Sequence, residues 1–372
     1  MIVRRPLEGV RVVELARILA GPWAGQLLAD LGAEVIKVER PGCGDDTRGW
    51  GPPFITDSEG APRGAAYFHA CNRGKRSVAI DFTNADGQAE VRELVRNADI
   101  VIENFKVGSL TRYGLDHASL LAVNPRLITC SVTGFGQTGP YAPRAGYDFI
   151  IQAMGGAMSL TGEPDGEPQK AGVAYADIFT GMYATVAILA ALRERDLRGV
   201  GAHLDLALLD CQVAVLANQA LNYFASGTAP RRLGNGHPNL VPYQLFKTSD
   251  GELIIAVGND RQFEQLCHTL GLAALSRDPR FSTNAGRVEH RTEVVSAIEA
   301  ATRGWTMHDL AEALEVLHIP CGPVNDLADV FADPQVIARG LAIEQAGVPG
   351  LASPIVVDGE RMIAQAGAPK LP

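Results

Sequence analysis

The carboxylate of Asp177 is the side chain in this sequence best placed for covalent chemistry. It stands directly before an apolar run, residues 178–189, with no cationic residue beside it. An acidic residue ahead of an apolar helix commonly caps that helix, because its oxygens accept free backbone N–H groups. A carboxylate at the mouth of an apolar pocket is also poorly solvated, and it can attack an activated acyl carbon. Taken alone, the position favours the cap, and the nucleophile stays open.

Arg17 is the cation whose surroundings most need an explanation. It lies among Leu15, Ala16, Ile18 and Leu19, where the first predicted strand ends. A guanidinium in that setting requires an anion. Either it forms a buried structural pair, or it binds a substrate carboxylate through two hydrogen bonds. The sequence leaves both interpretations open.

Other motifs restrict the chemistry. The first strand-to-helix turn, residues 19–25, lacks the G-x-G-x-x-G spacing, and Pro22 removes an N–H donor, which disfavours a nicotinamide oxidoreductase. Arg40 directly after Glu39 suits a nucleotide that carries an extra phosphate on its ribose. The histidines show no metal-ligand spacing and no G-x-S-x-G serine motif occurs, so we expect neither a metal site nor a serine hydrolase.

Length, charge and cysteine content set further bounds. A chain of 372 residues predicts two domains. With 33 basic and 42 acidic residues the net charge is −9, which disfavours nucleic acid and anionic membranes as partners. The six cysteines form no C-x-x-C pair and indicate a reducing compartment. The apolar run after Asp177 reaches charge at Arg193, too soon to span a bilayer, so we predict a cytoplasmic protein.

Strand and helix patterns alternate through the first third of the chain. Hydrophobic periodicity predicts strands at residues 10–15, 34–39, 78–82, 99–105 and 127–133, with helices at 23–31 and 87–98. Such alternation predicts an α/β fold with a mainly parallel, doubly wound sheet. Ligands of these sheets bind at the carboxyl ends of the strands.

A second domain is predicted to begin after a loop-forming stretch rich in Pro, Gly and Asn, residues 228–239. Residues 243–248 and 252–257 flank Ser249-Asp250-Gly251 and predict a hairpin. Helical periodicity follows at residues 261–270, 291–301 and 307–317, and another helix starts near Asp333. We therefore expect a large domain, residues 1–225 completed by 326–372, and a small α/β domain, residues 226–325.

Several segments together resemble the class III coenzyme A transferases, a family that also includes formyl-CoA transferase, the carnitine CoA transferases and α-methylacyl-CoA racemase. The segments are residues 19–22, 32–42, 44–48, 72–77, 103–105 and 134–140. The segment 174–181 resembles the one that holds the catalytic aspartate of the family. The resemblance therefore implies that Asp177 is a nucleophile.

The family resemblance also implies a fold and an assembly. It implies a Rossmann-like large domain, a smaller α/β domain and a homodimer whose subunits interlock as rings. Acyl-CoA would be a substrate, with no permanently bound cofactor. The implied contacts with CoA are Ile18 to Ala20, Arg40, Lys75, Asn104, Phe105 and Arg112, and Gln137 is a candidate substrate contact.

Tyr147 separates two chemistries within the family. The racemases carry a histidine at this position, and it pairs with the aspartate for proton transfer at the α-carbon. A phenol has a pKa near 10 and is a poor partner for that reaction at neutral pH. Tyr147 thus favours CoA transfer, with its hydroxyl as a hydrogen-bond donor beside Asp177.

Segments 16–22, 44–53, 144–148 and 241–244 most resemble the succinyl-CoA:glutarate type of CoA transferase. This likeness implies transfer of CoA from succinyl-CoA or a similar thioester to a dicarboxylate, with Arg17 on the distal carboxylate. Formyl-CoA transferase has consecutive glycines near residues 234–237, whereas this chain has only Gly234 and Gly236, so we expect no mobile glycine shield. A racemase, a CoA-binding protein without activity and a nicotinamide oxidoreductase remain the alternatives.

Overall fold

A computed structural model describes residues 5–372. Residues 1–4, which the sequence analysis assigns to the large domain, lie outside this part. The chain forms two compact units: the first comprises the chain up to Ala157, Lys170–Ala217 and Asp333–Pro372, and the second comprises Met158–Gln169 and Asn218–Ala332. The domain boundaries expected from the sequence, at 225/226 and 325/326, remain a prediction.

The strands are short, and most belong to the first unit. They are β1 (Arg11–Glu14), β2 (Glu34–Glu39), β3 (Phe54–Thr56), β4 (Pro62–Ala65), β5 (Lys75–Ala79), β6 (Ile100–Glu103), β7 (Ile128–Thr133), β8 (Ala202–Ala207), β9 (Tyr243–Lys247), β10 (Glu252–Ala256), β11 (Cys321–Pro323), β12 (Ala342–Gln345), β13 (Val348–Leu351), β14 (Val356–Val357) and β15 (Glu360–Arg361).

The helices range from one turn to 24 residues. They are α1 (Ala20–Asp30), α2 (Ala66–His69), α3 (Ala85–Arg96), α4 (His117–Val123), α5 (Asp148–Met154), α6 (Ala157–Leu160), α7 (Tyr175–Arg198), α8 (Leu208–Ala214), α9 (Ala217–Ser226), α10 (Asp260–Thr269), α11 (Ala273–Arg277), α12 (Asn284–Glu289), α13 (Arg291–Thr302), α14 (Met307–Val316), α15 (Leu327–Ala332) and α16 (Pro334–Ala338). Short 3₁₀ helices lie at Asp46–Gly49, Thr111–Tyr113 and Pro279–Phe281.

A six-stranded parallel sheet organises the first unit. Its strand order is β5-β2-β1-β6-β7-β8, and every neighbouring pair is parallel. The prediction of a mainly parallel sheet in an α/β fold is confirmed. The chain moves outward in one direction from β1 to β2 and β5, and in the other from β6 to β8. The crevice beyond the carboxyl ends of β1 and β6 is thus the expected place for a ligand.

Apolar side chains cover both faces of this sheet. One core joins the sheet to α1 and α7, and the other joins it to α3 and α4. Helices α1 and α7 approach closely because Gly181 has no side chain: a Cβ there would lie 2.7 Å from the Ala20 carbonyl oxygen. By length and composition α7 could cross a membrane, but 44 % of its apolar window is buried inside the protein. In this protein α7 packs against the parallel sheet and contributes apolar side chains to its core.

Two element boundaries differ from the sequence prediction. Helix α1 begins at Ala20, so Gly21 and Pro22 form its first turn instead of preceding it. Proline is tolerated there because N–H groups of the first turn have no partner within the helix. Strand β5 begins at Lys75, three residues before the expected start, because the Lys75 ammonium is paired inside the protein. The edge strand β8 was not predicted.

The second unit contains an antiparallel sheet with the order β11-β10-β9. Strands β9 and β10 form the predicted hairpin, with Leu253 opposite Phe246. Helices α10, α13 and α14 supply apolar residues to a separate core with these strands. They begin within one residue of the predicted positions.

A network of buried charges joins the first three strands of the parallel sheet. The Lys37 ammonium lies 2.9 Å from Glu14 Oε1 and 2.9 Å from Asp45 Oδ2, and the Lys75 ammonium lies 2.8 Å from Glu14 Oε2. All four side chains are almost completely buried. Burial opposes the charge of Lys37, but Glu14 and Asp45 outweigh it and raise the pKa of Lys37. For Lys75 burial prevails, and its pKa is lowered.

We predict that Lys37→Met destabilises the protein by about 3–5 kcal/mol, because it leaves the buried Asp45 carboxylate without its cation and removes one of the two cations that pair with Glu14. The measurement is urea unfolding followed by tryptophan fluorescence. The control is Arg96→Met, which breaks the exposed pair between Arg96 and Glu93 and should cost less than about 1 kcal/mol. Equal losses in the two variants would contradict the structural role of the network.

Candidate active site

A cleft of about 370 Å³ lies at the carboxyl ends of β1, β6 and β7. Loops that follow these strands line it, together with the first turn of α7. Most of the predicted site residues meet here. They are Arg17, Ile18, Ala20, Asn104, Phe105, Arg112, Tyr147 and Asp177.

Asp177 is the third residue of α7, inside the first turn. The N-cap residue is Ala174, whose side chain cannot cap the helix. The carboxylate of Asp148 performs this role: its Oδ1 accepts hydrogen bonds from the N–H of Ala176 at 2.9 Å and of Asp177 at 3.4 Å. The interpretation of Asp177 as the helix cap is therefore wrong. Its own carboxylate faces the cleft.

The Asp177 carboxyl is hard to ionise. Burial, and then repulsion by the charge of Asp148, raise its pKa to about 7 from an ordinary value of 3.8. A pKa perturbed by burial together with a defined charged neighbour, inside a cleft, is typical of functional residues. At neutral pH this acid is present in both protonation states.

Asp148 is the functional residue that sequence reasoning missed. Besides capping α7, its Oδ2 accepts a hydrogen bond from Gln152 Nε2 at 2.7 Å, and Gln152 Oε1 accepts from the N–H of Ala171 at 2.9 Å. These bonds hold Asp148 between α5 and α7. The sequence signal was available, since Asp148 precedes the apolar start of α5 just as Asp177 precedes an apolar run.

Tyr147 occupies the N-cap position of α5 and lines the cleft with Asp177. Its side chain is 60 % exposed. Within residues 5–372 no hydrogen bond engages its hydroxyl, so this group is available to a ligand. The geometry thus suits the predicted role of a hydrogen-bond donor.

The loop after β1 is held in a strained conformation. Ile18 has φ +74°, a left-handed conformation that is unusual for a β-branched residue. The N–H of Ile18 points to the carboxylate of Asp45, with distances of 3.3 and 3.4 Å to its two oxygens. Asn104 fixes the preceding residue, accepting from Arg17 N at 3.0 Å and donating to Arg17 O at 2.7 Å. Strain of this kind is common at functional sites.

Arg17 reaches the cleft from this loop. Its Nη1 lies 2.6 Å from Asp46 Oδ2, and its guanidinium lies 5.7 Å from the centre of the Phe105 ring. The ion pair is partly exposed, with 39 % of the Arg17 side chain and 47 % of the Asp46 side chain accessible. Arg17 therefore forms an ion pair, but this pair is partly exposed, unlike the buried structural pair that was one of the two interpretations of the sequence.

A smaller chamber of about 220 Å³ adjoins the cleft. Arg40 lines it, and Arg17, Phe105 and Arg112 line both spaces, so the two share a wall. The Phe82 ring lies 5.7 Å from that of Phe105, which gives the chamber an aromatic wall. A cationic and aromatic chamber of this kind suits a nucleotide.

Two predicted contacts do not reach this space. The ammonium of Lys75 is enclosed by Glu14, by Pro22 O at 2.8 Å and by Asn72 Oδ1 at 2.9 Å, so it faces the buried network and not the cleft, and its contact with CoA remains a prediction. Its charge is required by the buried network. Gln137 lines a neighbouring cavity beside His117 and His203 and is not among the residues that line the Asp177 cleft. Lys106 and Arg144 line the cleft instead and were not predicted.

Comparison with known proteins identifies the family. The model of CoA-transferase family III matches residues 7–372. The chain belongs to CoA-transferase family III. It is 56 % identical to a succinate–glutarate CoA-transferase of Agrobacterium fabrum, over 98 % of this chain and 93 % of the relative. It is 42 % identical to a human succinyl-CoA:glutarate CoA-transferase, over 91 % and 76 % of the two chains. A crystal structure of a CaiB/BaiF family protein from Brucella suis superimposes with a TM-score of 0.88 at 58 % identity, covering 99 % and 97 % of the two chains.

Family membership assigns the reaction class. The protein is a CoA transferase, and acyl-CoA thioesters are its substrates. The recognition made from the sequence is confirmed. In the part of the chain from residue 5 onward, no group of three or more His, Cys, Asp or Glu side chains forms a candidate metal site.

We predict that Asp177→Asn becomes progressively more stable than the wild type as the pH rises from 4 to 7. In this window the unfolded chain releases the Asp177 proton whereas the folded wild type retains it, so the wild type loses stability as the pH rises. The difference amounts to about 1.4 kcal/mol for each unit by which the pKa is raised. Urea unfolding of both proteins at pH 5, 6, 7 and 8 measures it. A constant difference across this range would show that the Asp177 pKa is not raised.

Proposed function

We propose that this CoA transferase moves CoA from succinyl-CoA, or a similar acyl-CoA, to a free dicarboxylate such as glutarate, and that Asp177 carries the intermediate. The main support is the position of Asp177, a carboxyl with a pKa of about 7 in the cleft that Tyr147 and Arg17 also line. The names of the relatives support the choice of acids.

The first half of the reaction loads CoA onto the enzyme. The ionised Asp177 carboxylate attacks the carbonyl carbon of the donor thioester, and the CoA thiolate leaves, which forms a mixed anhydride. The thiolate then attacks the Asp177 carbonyl of this anhydride. The donor acid departs as a carboxylate, and an aspartyl thioester of CoA remains. Each covalent step has a moderate barrier, which is the advantage of an enzyme-bound nucleophile.

The second half repeats these steps with the acceptor. The acceptor carboxylate attacks the aspartyl thioester and expels CoA thiolate, forming a second anhydride. Attack of the thiolate on the acceptor carbonyl yields the new acyl-CoA and restores the Asp177 carboxylate. No net proton transfer is needed, so the site requires no general base.

Negative charge develops on carbonyl oxygens in each of these steps. Tyr147 is a hydroxyl donor on one side of the cleft, and the start of α1 lies on another. No side chain caps α1 at Leu19, so backbone N–H groups at the start of this helix, where Leu19 and Ala20 line the cleft, are free to stabilise an anion. We assign Tyr147 and this helix terminus to stabilisation of the oxyanion.

The chamber beside the cleft is the proposed site for the nucleotide part of CoA. Arg40 and Arg112 carry the charge that phosphates require, and Phe105 and Phe82 offer ring surfaces. Ile18, Ala20 and Asn104 then line the path toward Asp177. In this arrangement Arg17 stands between the two spaces, where it can bind the distal carboxylate of a dicarboxylic acyl group.

We predict that Asp177→Asn lowers CoA transfer from succinyl-CoA to glutarate by at least about 10³-fold, since the covalent step is lost. Wild-type enzyme quenched after incubation with succinyl-CoA should carry CoA on the peptide that contains Asp177, in a form released by hydroxylamine. Mass spectrometry of the digested protein measures this adduct.

The matched control is Asp196→Asn, which changes an exposed aspartate on the same helix. It should retain both activity and adduct. The proposed mechanism fails if Asp177→Asn keeps the wild-type rate, or if the wild-type adduct maps to another peptide.

We also propose that the protein is a homodimer, with the interlocked arrangement implied by the family resemblance. Helix α7 exposes Phe179, Met182, Tyr183 and Val186, and both Met182 and Tyr183 lie three or four residues from Phe179 and from Val186, so the four share one helix face. Val186 is 63 % exposed. A contiguous apolar face of this kind marks an interaction surface, and a second copy of the chain is its proposed occupant.

We predict that Val186→Glu shifts the protein from dimer to monomer, because it places a charge within this apolar face. Light scattering coupled to size-exclusion chromatography measures the mass. Val200→Glu, at an exposed apolar residue beyond the end of α7, should leave the dimer intact. A wild-type monomer, or an unchanged mass for Val186→Glu, would contradict the proposal.

We further propose a cytoplasmic location. The six cysteines all lie within residues 5–372, and none is disulfide-bonded there. Free thiols of this number suit a reducing compartment.

A further inference from the structure

The ion pair between Arg17 and Asp46 differs from the structural arginine pairs of the same unit. Arg48 binds Glu39 through two parallel contacts, Nε to Oε2 at 2.8 Å and Nη2 to Oε1 at 2.6 Å, and both side chains are buried. Arg73 holds Asp30 in the same two-point, buried manner. Arg17 contacts Asp46 through one atom pair only, Nη1 to Oδ2 at 2.6 Å, and this pair is partly exposed.

The guanidinium of Arg17 retains unused capacity. No hydrogen bond within residues 5–372 engages its Nη2, whereas its Nε is enclosed by protein without a partner there and cannot reach a ligand. A guanidinium prefers to bind a carboxylate through two N–H groups. The single contact therefore leaves Arg17 able to take a second carboxylate from the cleft that it lines.

We propose that Asp46 is an internal competitor for the substrate carboxylate at Arg17, and thereby sets how strongly the enzyme prefers dicarboxylates over monocarboxylates. This inference rests on the proposed function. An exposed ion pair with one contact is weak, so a substrate carboxylate can share or replace it. The Asp46 charge nevertheless repels that carboxylate, because two anions would then share one cation.

Asp46 has no such effect on monocarboxylic acids. An acyl chain without a distal charge cannot neutralise Arg17, and Asp46 then keeps the guanidinium paired. Asp46 thus weakens the binding of dicarboxylates and leaves monocarboxylates unaffected. The residue acts on specificity through Arg17, so its effect requires Arg17 to be present.

The experiment compares glutarate with pentanoate, which has the same carbon chain and lacks the second carboxylate. KM and kcat for both acceptors are measured with succinyl-CoA as donor. The proteins are the wild type, Asp46→Asn, Arg17→Met and the double variant. Asn keeps an oxygen that can accept from Arg17 and removes only the charge. Glu59→Gln, which removes an exposed charge outside the cleft, is the control for net charge.

We predict that Asp46→Asn lowers the KM for glutarate by about fivefold, the effect of one like-charge contact near the surface. The KM for pentanoate and both kcat values should not change. In the Arg17→Met background, Asp46→Asn should have no effect on glutarate. Equal effects on the two acids, no effect on either, or an effect that persists without Arg17 would overturn the inference.

Direct binding separates this inference from the proposed function. If the wild type transfers CoA to neither acid, the proposed function fails. Calorimetric titration of glutarate and pentanoate into wild type and Asp46→Asn still decides the inference. Tighter binding of glutarate alone to Asp46→Asn would support it, and unchanged binding would overturn it.

Discussion

The buried charges of Glu14, Lys37, Lys75 and Asp45 are the constraint on which the site depends. A charge in a protein interior is costly unless it is paired and hydrogen-bonded. The carboxylate of Glu14 on β1 meets ammonium groups from β2 and β5, so the three strands can pack only with these residues opposed. Lys37 also binds Asp45, and Asp45 orients the strained N–H of Ile18. The buried network therefore fixes the loop that lines the cleft.

Residues 44–48 connect this network to the ligand-binding space. Asp45 faces the buried Lys37, Asp46 pairs with Arg17, which lines the cleft, and Arg48 binds Glu39 at the end of β2. Different side chains of one short segment thus stabilise the core and position Arg17 at the site. Glu39 accepts hydrogen bonds from Arg48, Ser77 and the N–H of Asp45, which hold its carboxylate in place. Its pKa is lowered because these bonds outweigh its burial.

Local sequence patterns correctly predicted the positions of strands and turns, because residues close together in the chain determine these elements. Strand β2 and the hairpin of β9 and β10 lie where periodicity and turn residues place them. The partner of a charged residue is not a local property. Lys75 and Arg112 both stand near strand or helix ends, yet the first meets Glu14, 61 residues away, and the second faces the cleft. Sequence reasoning could not separate them, because only the fold decides which cation is enclosed.

The raised pKa of Asp177 likewise depends on a residue that is distant in the sequence. The first turn of a helix normally stabilises a carboxylate and lowers its pKa, since its N–H groups are free. In α7 these groups are already bound to Asp148, so Asp177 lacks hydrogen bonds from them and is repelled by the carboxylate that replaced it. Capping of the helix and the raised pKa of the candidate nucleophile therefore have one cause. A carboxylate that is neither solvated nor hydrogen-bonded is more basic, and it reacts more readily with an acyl carbon than an ordinary aspartate.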